Sequence, residues 1–147
     1  MPDIEPASAD ARTAEFTARF PGLCDVPEVN CGDQPMFYGG VRARTARQAT
    51  AAGELTVMAT TFDAGAGTVW HTHESDQTLV LLSGAGAVED DRGVHPLRAG
   101  DVVTIPRGRR HRHLADAERS MTHLSITTHG NHHICSDAAQ CDCQRGH

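Results

Sequence analysis

The sequence predicts an all-β domain, a sandwich or barrel of short strands. Two observations lead there. From residue 36 onward, segments rich in Val, Leu, Ile and Thr recur at a spacing of about 8–12 residues. Gly, Pro and Asp clusters separate them, the punctuation of tight turns. A third feature sharpens the reading: two His-x-His triplets, at 71–73 and 111–113, begin such segments.

Taken in order, residues 9–20 (ADARTAEFTARF) have helical composition. Phe16 and Phe20 stand four apart and share a helix face. This short N-terminal helix is expected to stop before Pro21-Gly22. Residues 21–35 hold three Pro and two Gly and read as an arm wrapping the domain. Strands are predicted at 54–62, 77–84 (closed by Gly84), 86–91, 93–100, 101–106, 111–115 and 120–128. Pro106 ends its strand, as expected of a residue that cannot donate to a ladder. The expected organisation is a helix and arm over 1–35, a barrel over 36–128 and a His/Cys-rich, irregular C-terminal tail over 129–147.

Composition narrows the function. A chain of 147 residues suits one domain with its own core. With one Trp and one Tyr, that core must rest on aliphatic side chains. A net charge of −6 argues against nucleic acid as the main partner. No apolar run approaches the roughly 18 residues of a membrane helix. The first residues, MPDIEPASADARTAEF, are acidic and lack the apolar stretch of a secretory signal, so the expected location is cytoplasmic. Five cysteines without such a signal suggest reduced thiols rather than a disulfide framework.

The chemistry rests on the histidines. Residues i and i+2 of a strand point to one face, so His71 projects with His73 and His111 with His113. Neutral imidazole is the commonest metal ligand. Two on one strand chelate an ion when a third donor arrives from elsewhere. A lone His-x-His is more often a solvated pair, and the frame around it decides.

That frame is specific. Gly65, His71, His73 and Gly84, then Gly100, Pro106, Gly108 and His111, stand at the fixed positions of two paired motifs. These segments resemble the G-x5-H-x-H-x3-4-E-x6-G and G-x5-P-x-G-x2-H-x3-N motifs of the cupin superfamily, in the compact spacing of its small, quercetin-dioxygenase-like members. The resemblance implies a double-stranded β-helix, or jelly-roll barrel, with a metal held by His71, His73, His111 and the residue at the family's Glu position. Here that residue is Gln77, and the family's final Asn is Ala115. A neutral amide in place of a carboxylate leaves more of the cation's charge uncompensated. That favours an anionic substrate group and weakens the hold on the metal. Gln77 can ligate through its carbonyl oxygen or orient a bound water.

By parity His113 shares the pocket face with His111, as a fourth ligand or a general base; it is the expected catalytic residue. His123 alternates with Met121 and Ser125, on a strand whose inner side the sequence does not fix. His95, Glu74 and Asp76 read as exposed, and Arg112 as outward-facing. Arg109 and Arg110 read as a solvated basic turn or a pocket mouth, and Trp70 as a wall residue. The tail carries His129, His132, His133, Cys135, Cys141, Cys143 and His147, donors enough for a second metal but without a zinc-site spacing.

The resemblance implies an Fe2+-type dioxygenase or oxidoreductase acting on a small chelating enolic, carbonyl or thiol substrate. The alternatives are a redox-neutral metal-dependent cyclase, isomerase or lyase, and a non-catalytic small-molecule or metal-binding module. Fe2+ is the favoured metal, with Zn2+, Ni2+, Mn2+ and Cu2+ also compatible with the donors. A small-molecule substrate and a homodimer are the expected partners.

Overall fold

A computed structural model describes residues 23–135. The helix expected over 9–20 lies outside the described residues, as do positions 136–147 of the tail. After a single 3-10 turn, Leu23–Asp25, the described chain forms twelve strands. They are β1 (Val29–Asn30), β2 (Phe37–Tyr38), β3 (Val41–Arg47), β4 (Leu55–Phe62), β5 (Gly67–Thr68), β6 (His71–His73), β7 (Gln77–Asp90), β8 (Gly93–Arg98), β9 (Val102–Ile105), β10 (His111–Ala115), β11 (Met121–Thr128) and β12 (His132–Ile134). Neighbours run antiparallel in the order β1-β3-β4-β11-β7-β10-β5-β2, with β8 and β9 added on β7, and β6 bridging β10 to β12. The all-β expectation is met by a sheet curled into the jelly-roll barrel.

The curl depends on β7. The sequence predicts one strand closing at Gly84 and another opening at 86; the chain instead runs straight through as a single strand of 14 residues. Its first half pairs with β11 and β9, its second with β8 and β10. Gly84 is where it changes partners. It sits at φ 78°, and a Cβ there would fall on the Ser120 carbonyl oxygen. The turn signal was real, but it marks a corner within a strand rather than its end. The other motif glycines, Gly65, Gly100 and Gly108, also have positive φ, which explains their fixed places in the pattern.

Strand β3 (VRARTAR) had no strong sequence signal. Its inward residues include the small Ala43, and its outward ones are arginines paired with Glu28 and Asp63. At the other end, β12 puts a strand inside the segment expected to be an irregular tail; His132, His133 and Ile134 face His73, Thr72 and His71. Cys135, next in the chain, is disulfide-bonded. This corrects the expectation of reduced thiols at that position, while Cys24 and Cys31 are free.

Inward residues follow strand parity. Val41, Phe62, Leu81 and Met121 form one buried cluster with Cys31, Ala43 and Ala66; Leu79, Val88 and Ile105 form a second. Each large side chain so buried contributes about 1.5–3 kcal/mol. The core is aliphatic apart from Phe62, which lies edge-on to His123 with centroids 5.2 Å apart. Core and imidazole cluster therefore share a wall.

Candidate metal centre

The first two donors come from β6. His71 is fully buried, and its Nδ1–H donates to the Val69 carbonyl at 2.7 Å. The second His-x-His enters from β10, where His111 pairs across the sheet with His71. Its Nδ1–H donates to the Arg109 carbonyl at 2.8 Å. In both rings the carbonyl claims the proton on Nδ1, so Nε2 presents a lone pair to the interior. The parity argument holds: ligand atoms of His71, His73, His111 and His113 lie within 4.8 Å of one another.

Gln77, at the start of β7, closes the group. Its Nε2 donates to Ser125 Oγ at 2.9 Å, which turns Oε1 toward the imidazoles, 3.3 Å from His111 Nε2. With Nδ1 of His111 already protonated, two lone-pair atoms face each other there. Burial lowers the pKa of His111, so a second proton on that ring does not relieve the contact. A cation between them does. His73 Nε2 is likewise buried without a hydrogen-bond partner. The donor set thus fits a divalent metal: imidazole nitrogens and an amide oxygen, all neutral and aimed inward.

Burial is the main cause of the low basicity throughout. It pushes His71 and His113 well below the usual histidine range, with neighbouring imidazoles adding to the effect. Burial, then His111 and His132, brings His73 down to about 4; burial alone brings His123 to about 4. At neutral pH these rings are uncharged and able to donate lone pairs.

His113 and His123 differ from the ligand pair. Both are buried, and Nδ1 of each lacks a hydrogen-bond partner. Their centroids are 5.1 Å apart in an edge-on arrangement. No backbone carbonyl fixes the proton on either ring, so both can exchange protons with a guest. His123 is the residue whose side the sequence left open: Met121, His123 and Ser125 are buried, whereas Leu124 and Ile126 are only half-buried. With apolar residues on both faces, alternation alone could not choose between them.

The remaining candidates take their places outside the cluster. Glu74 is exposed and pairs with His133 at 2.8 Å; Asp76 accepts the Arg107 amide. His95 is exposed against Asp90, which also takes Arg109. Arg112 binds Glu89 on the outer side of β10, and the Arg110 guanidinium stacks 3.8 Å from the Trp70 ring centroid. Neither Arg109 nor Arg110 lines the cavity. The tail donors diverge: His132 lines the cavity, while His133 turns to Glu74. Cys141, Cys143 and His147 lie outside the described residues.

His71, His73, His113 and Gln77 line a cavity of about 280 Å³, near the lower limit of the roughly 300–1,000 Å³ usual for ligand pockets. Its walls include Met36, Phe37, Met58 and Phe62, and no Lys, Arg, Asp or Glu among the described residues lines it.

A curled antiparallel sheet with paired glycine-bounded His motifs converging inside it defines a cupin. Residues 58–127 match the cupin domain family, and the chain belongs to the cupin superfamily. It is 38% identical over 96 residues to the (R)-mandelonitrile lyase of Granulicella tundricola, a match covering 65% of this chain and 73% of that one. Among solved structures, a cupin-like protein from Thermotoga maritima superposes with a TM-score of 0.64 at 28% identity, over 70% of this chain and 81% of that one. A sugar phosphate isomerase of the cupin superfamily from Silicibacter pomeroyi gives 0.64 at 19% identity, over 82% and 88%. A polyketide cyclase from Streptomyces resistomycificus gives 0.63 at 17%, over 73% and 76%. The last two likenesses carry the fold alone.

Proposed function

We propose that this protein is a metal-dependent lyase that reversibly cleaves the carbon–carbon bond of a small aromatic cyanohydrin to an aldehyde and hydrogen cyanide. The supporting observation is a small, uncharged, partly aromatic cavity whose floor combines a metal-fitting donor set with two buried imidazoles of free tautomer. The similarity to a mandelonitrile lyase supports the same reading. This is the redox-neutral alternative of the sequence analysis.

His71, His73, His111 and Gln77 would hold the metal. When bound, it supplies Lewis acidity toward the substrate oxygen and lowers the cost of negative charge there. His113 and His123 handle protons. Kept neutral by burial, one imidazole accepts the hydroxyl proton as the C–CN bond breaks and its electron pair leaves on the cyanide carbon. The same proton then passes to cyanide, so hydrogen cyanide and aldehyde leave with no net change in the protein. Phe37 and Phe62 would flank an aryl group, and a lining without charged side chains among the described residues favours a neutral substrate, in place of the anionic group expected from the Gln77 donor set.

The test is release of benzaldehyde from mandelonitrile by protein loaded in turn with Mn2+, Fe2+ or Zn2+. Turnover with at least one metal, abolished by a chelator, is expected. Oxygen consumption with an enolic substrate by the Fe2+ form, together with no cyanohydrin cleavage, would instead support the dioxygenase reading.

A further inference from the structure

A carboxylate at the head of β7 would offer a cation an oxygen whichever way it turned. The amide of Gln77 has two unlike ends: its oxygen attracts a cation, and its –NH2, a donor with no lone pair to give, repels one. An amide ligand therefore works in one sense only, and that sense has to be fixed by a neighbour.

The neighbour is Ser125. Across the β7–β11 pair, Thr127 stands opposite Gln77 and Ser125 opposite Leu79, so Ser125 is the diagonal neighbour of Gln77. Both residues are buried and both line the cavity. Gln77 Nε2 donates to Ser125 Oγ at 2.9 Å, which leaves Oε1 on the side of the imidazoles, 3.3 Å from His111 Nε2. The reversed amide would set its –NH2 where the cation belongs and donate to the imidazole lone pairs, closing the site. An acceptor at position 125 opposes that turn by giving the –NH2 a buried partner on the other side. A buried carbonyl oxygen tolerates the lack of a partner better than an N–H does. Loss of the Ser125 hydroxyl therefore shifts the amide toward the closed sense.

We propose that Ser125 is a positioning residue of the metal centre, acting through Gln77 to hold the amide oxygen toward the ion. It lies outside both motif segments, 65–84 and 100–115. The proposal rests on Gln77 as a ligand and is independent of the reaction catalysed.

The test is Zn2+ affinity, read by competition with a chromogenic chelator. Ser125→Ala should weaken binding about tenfold, the effect of one buried donor left unpaired. Ser125→Thr and Ser125→Val have the same shape, and only the first keeps the hydroxyl; Ser125→Thr should bind more tightly than Ser125→Val. The decisive arm repeats Ser125→Ala in the Gln77→Glu background, where either oxygen serves and the loss should fall to about twofold or less. A merely structural role for Ser125 would weaken binding equally in both backgrounds. Equal losses, no loss in Ser125→Ala, or Ser125→Val binding as well as Ser125→Thr would overturn the proposal. Weaker binding in Gln77→Leu without any in Ser125→Ala would overturn it while keeping Gln77 as a ligand. Unchanged binding in Gln77→Leu would remove both. The expected coupling in a protein that cleaves no cyanohydrin would keep this proposal and refute the lyase reading.

Discussion

The two faces of β6 and β10 carry residues of similar polarity and put them to opposite uses. Inward, His71, His73, His111 and His113 are neutral and crowded, with nitrogen atoms left unpartnered or aimed at other acceptors. Outward, Arg112 binds Glu89, and Arg110 stacks on Trp70 just before the inner histidine begins. Outside, Glu89 and the Trp70 ring meet these charges, although Arg110 Nε and Nη2 are buried without a hydrogen bond among the described residues. Inside, lone pairs converge with no partner supplied, and burial keeps them unprotonated. A stable barrel does not need the inner arrangement, which desolvates imidazole nitrogens such as His73 Nε2, His113 Nδ1 and His123 Nδ1 without giving them hydrogen bonds. The contrast therefore marks the inner face as built for something that arrives.

The sharpest way to break the contrast lies within the inner face. His113→Gln keeps bulk and polarity but cannot carry a proton, and turnover should fall by about 10²–10⁴-fold. Metal content should stay at the wild-type level. Loss of metal instead would make His113 a ligand and leave the proton chemistry to His123.

Acid should act on the inner face and spare the outer one. The unfolded chain binds protons at these histidines near the ordinary value of 6.5, while the folded protein holds His123 at about 4. The folded pKa is depressed, so the stabilisation is complete above the unfolded value and is lost as pH falls toward the folded one. For His123 alone the loss from pH 6.5 to 4 is roughly 3 kcal/mol. Chemical denaturation of the metal-free protein across that window should show a monotonic fall, whereas a flat profile would mean the rings are already solvated.

Gln77→Glu tests the neutral donor set. A carboxylate facing the same imidazoles should raise metal affinity by about tenfold or more, read by competition with a chromogenic chelator. Unchanged affinity would place Gln77 outside the ligand set. The smallest effect belongs to the outer face: Arg112→Ala should cost no more than about 1 kcal/mol in stability and leave metal content untouched, by thermal unfolding and metal analysis. A large metal loss there would erase the distinction between the faces.

Much of this was legible in the sequence because strand parity is simple. His-x-His on a strand must share a face, and the glycines framing it mark positions of positive φ. The shared face of each His-x-His pair followed from parity, and the barrel from the spaced strands and the resemblance of the paired motifs to the cupin pattern. His123 stayed ambiguous because Met121 on its side and Leu124 and Ile126 on the other are all apolar; only pairing with β4 and β7 decides which side is the interior. Strand β3 was hidden by small inward and charged outward residues. The contribution of His132 could not be seen because it depends on β12 reaching back to β6 across more than fifty residues, a long-range pairing with no local signature. Gly84 misled for the opposite reason: its local signal was strong, but the corner it makes lies inside a strand.

The most direct test is the number of divalent ions bound per chain, by equilibrium dialysis and elemental analysis, in the wild type and in His71→Ala. One ion per chain, lost with His71, is the expected result. Binding that survives His71→Ala would move the ion to the His/Cys-rich tail, and no binding at all would leave the inner imidazoles without the guest their geometry requires.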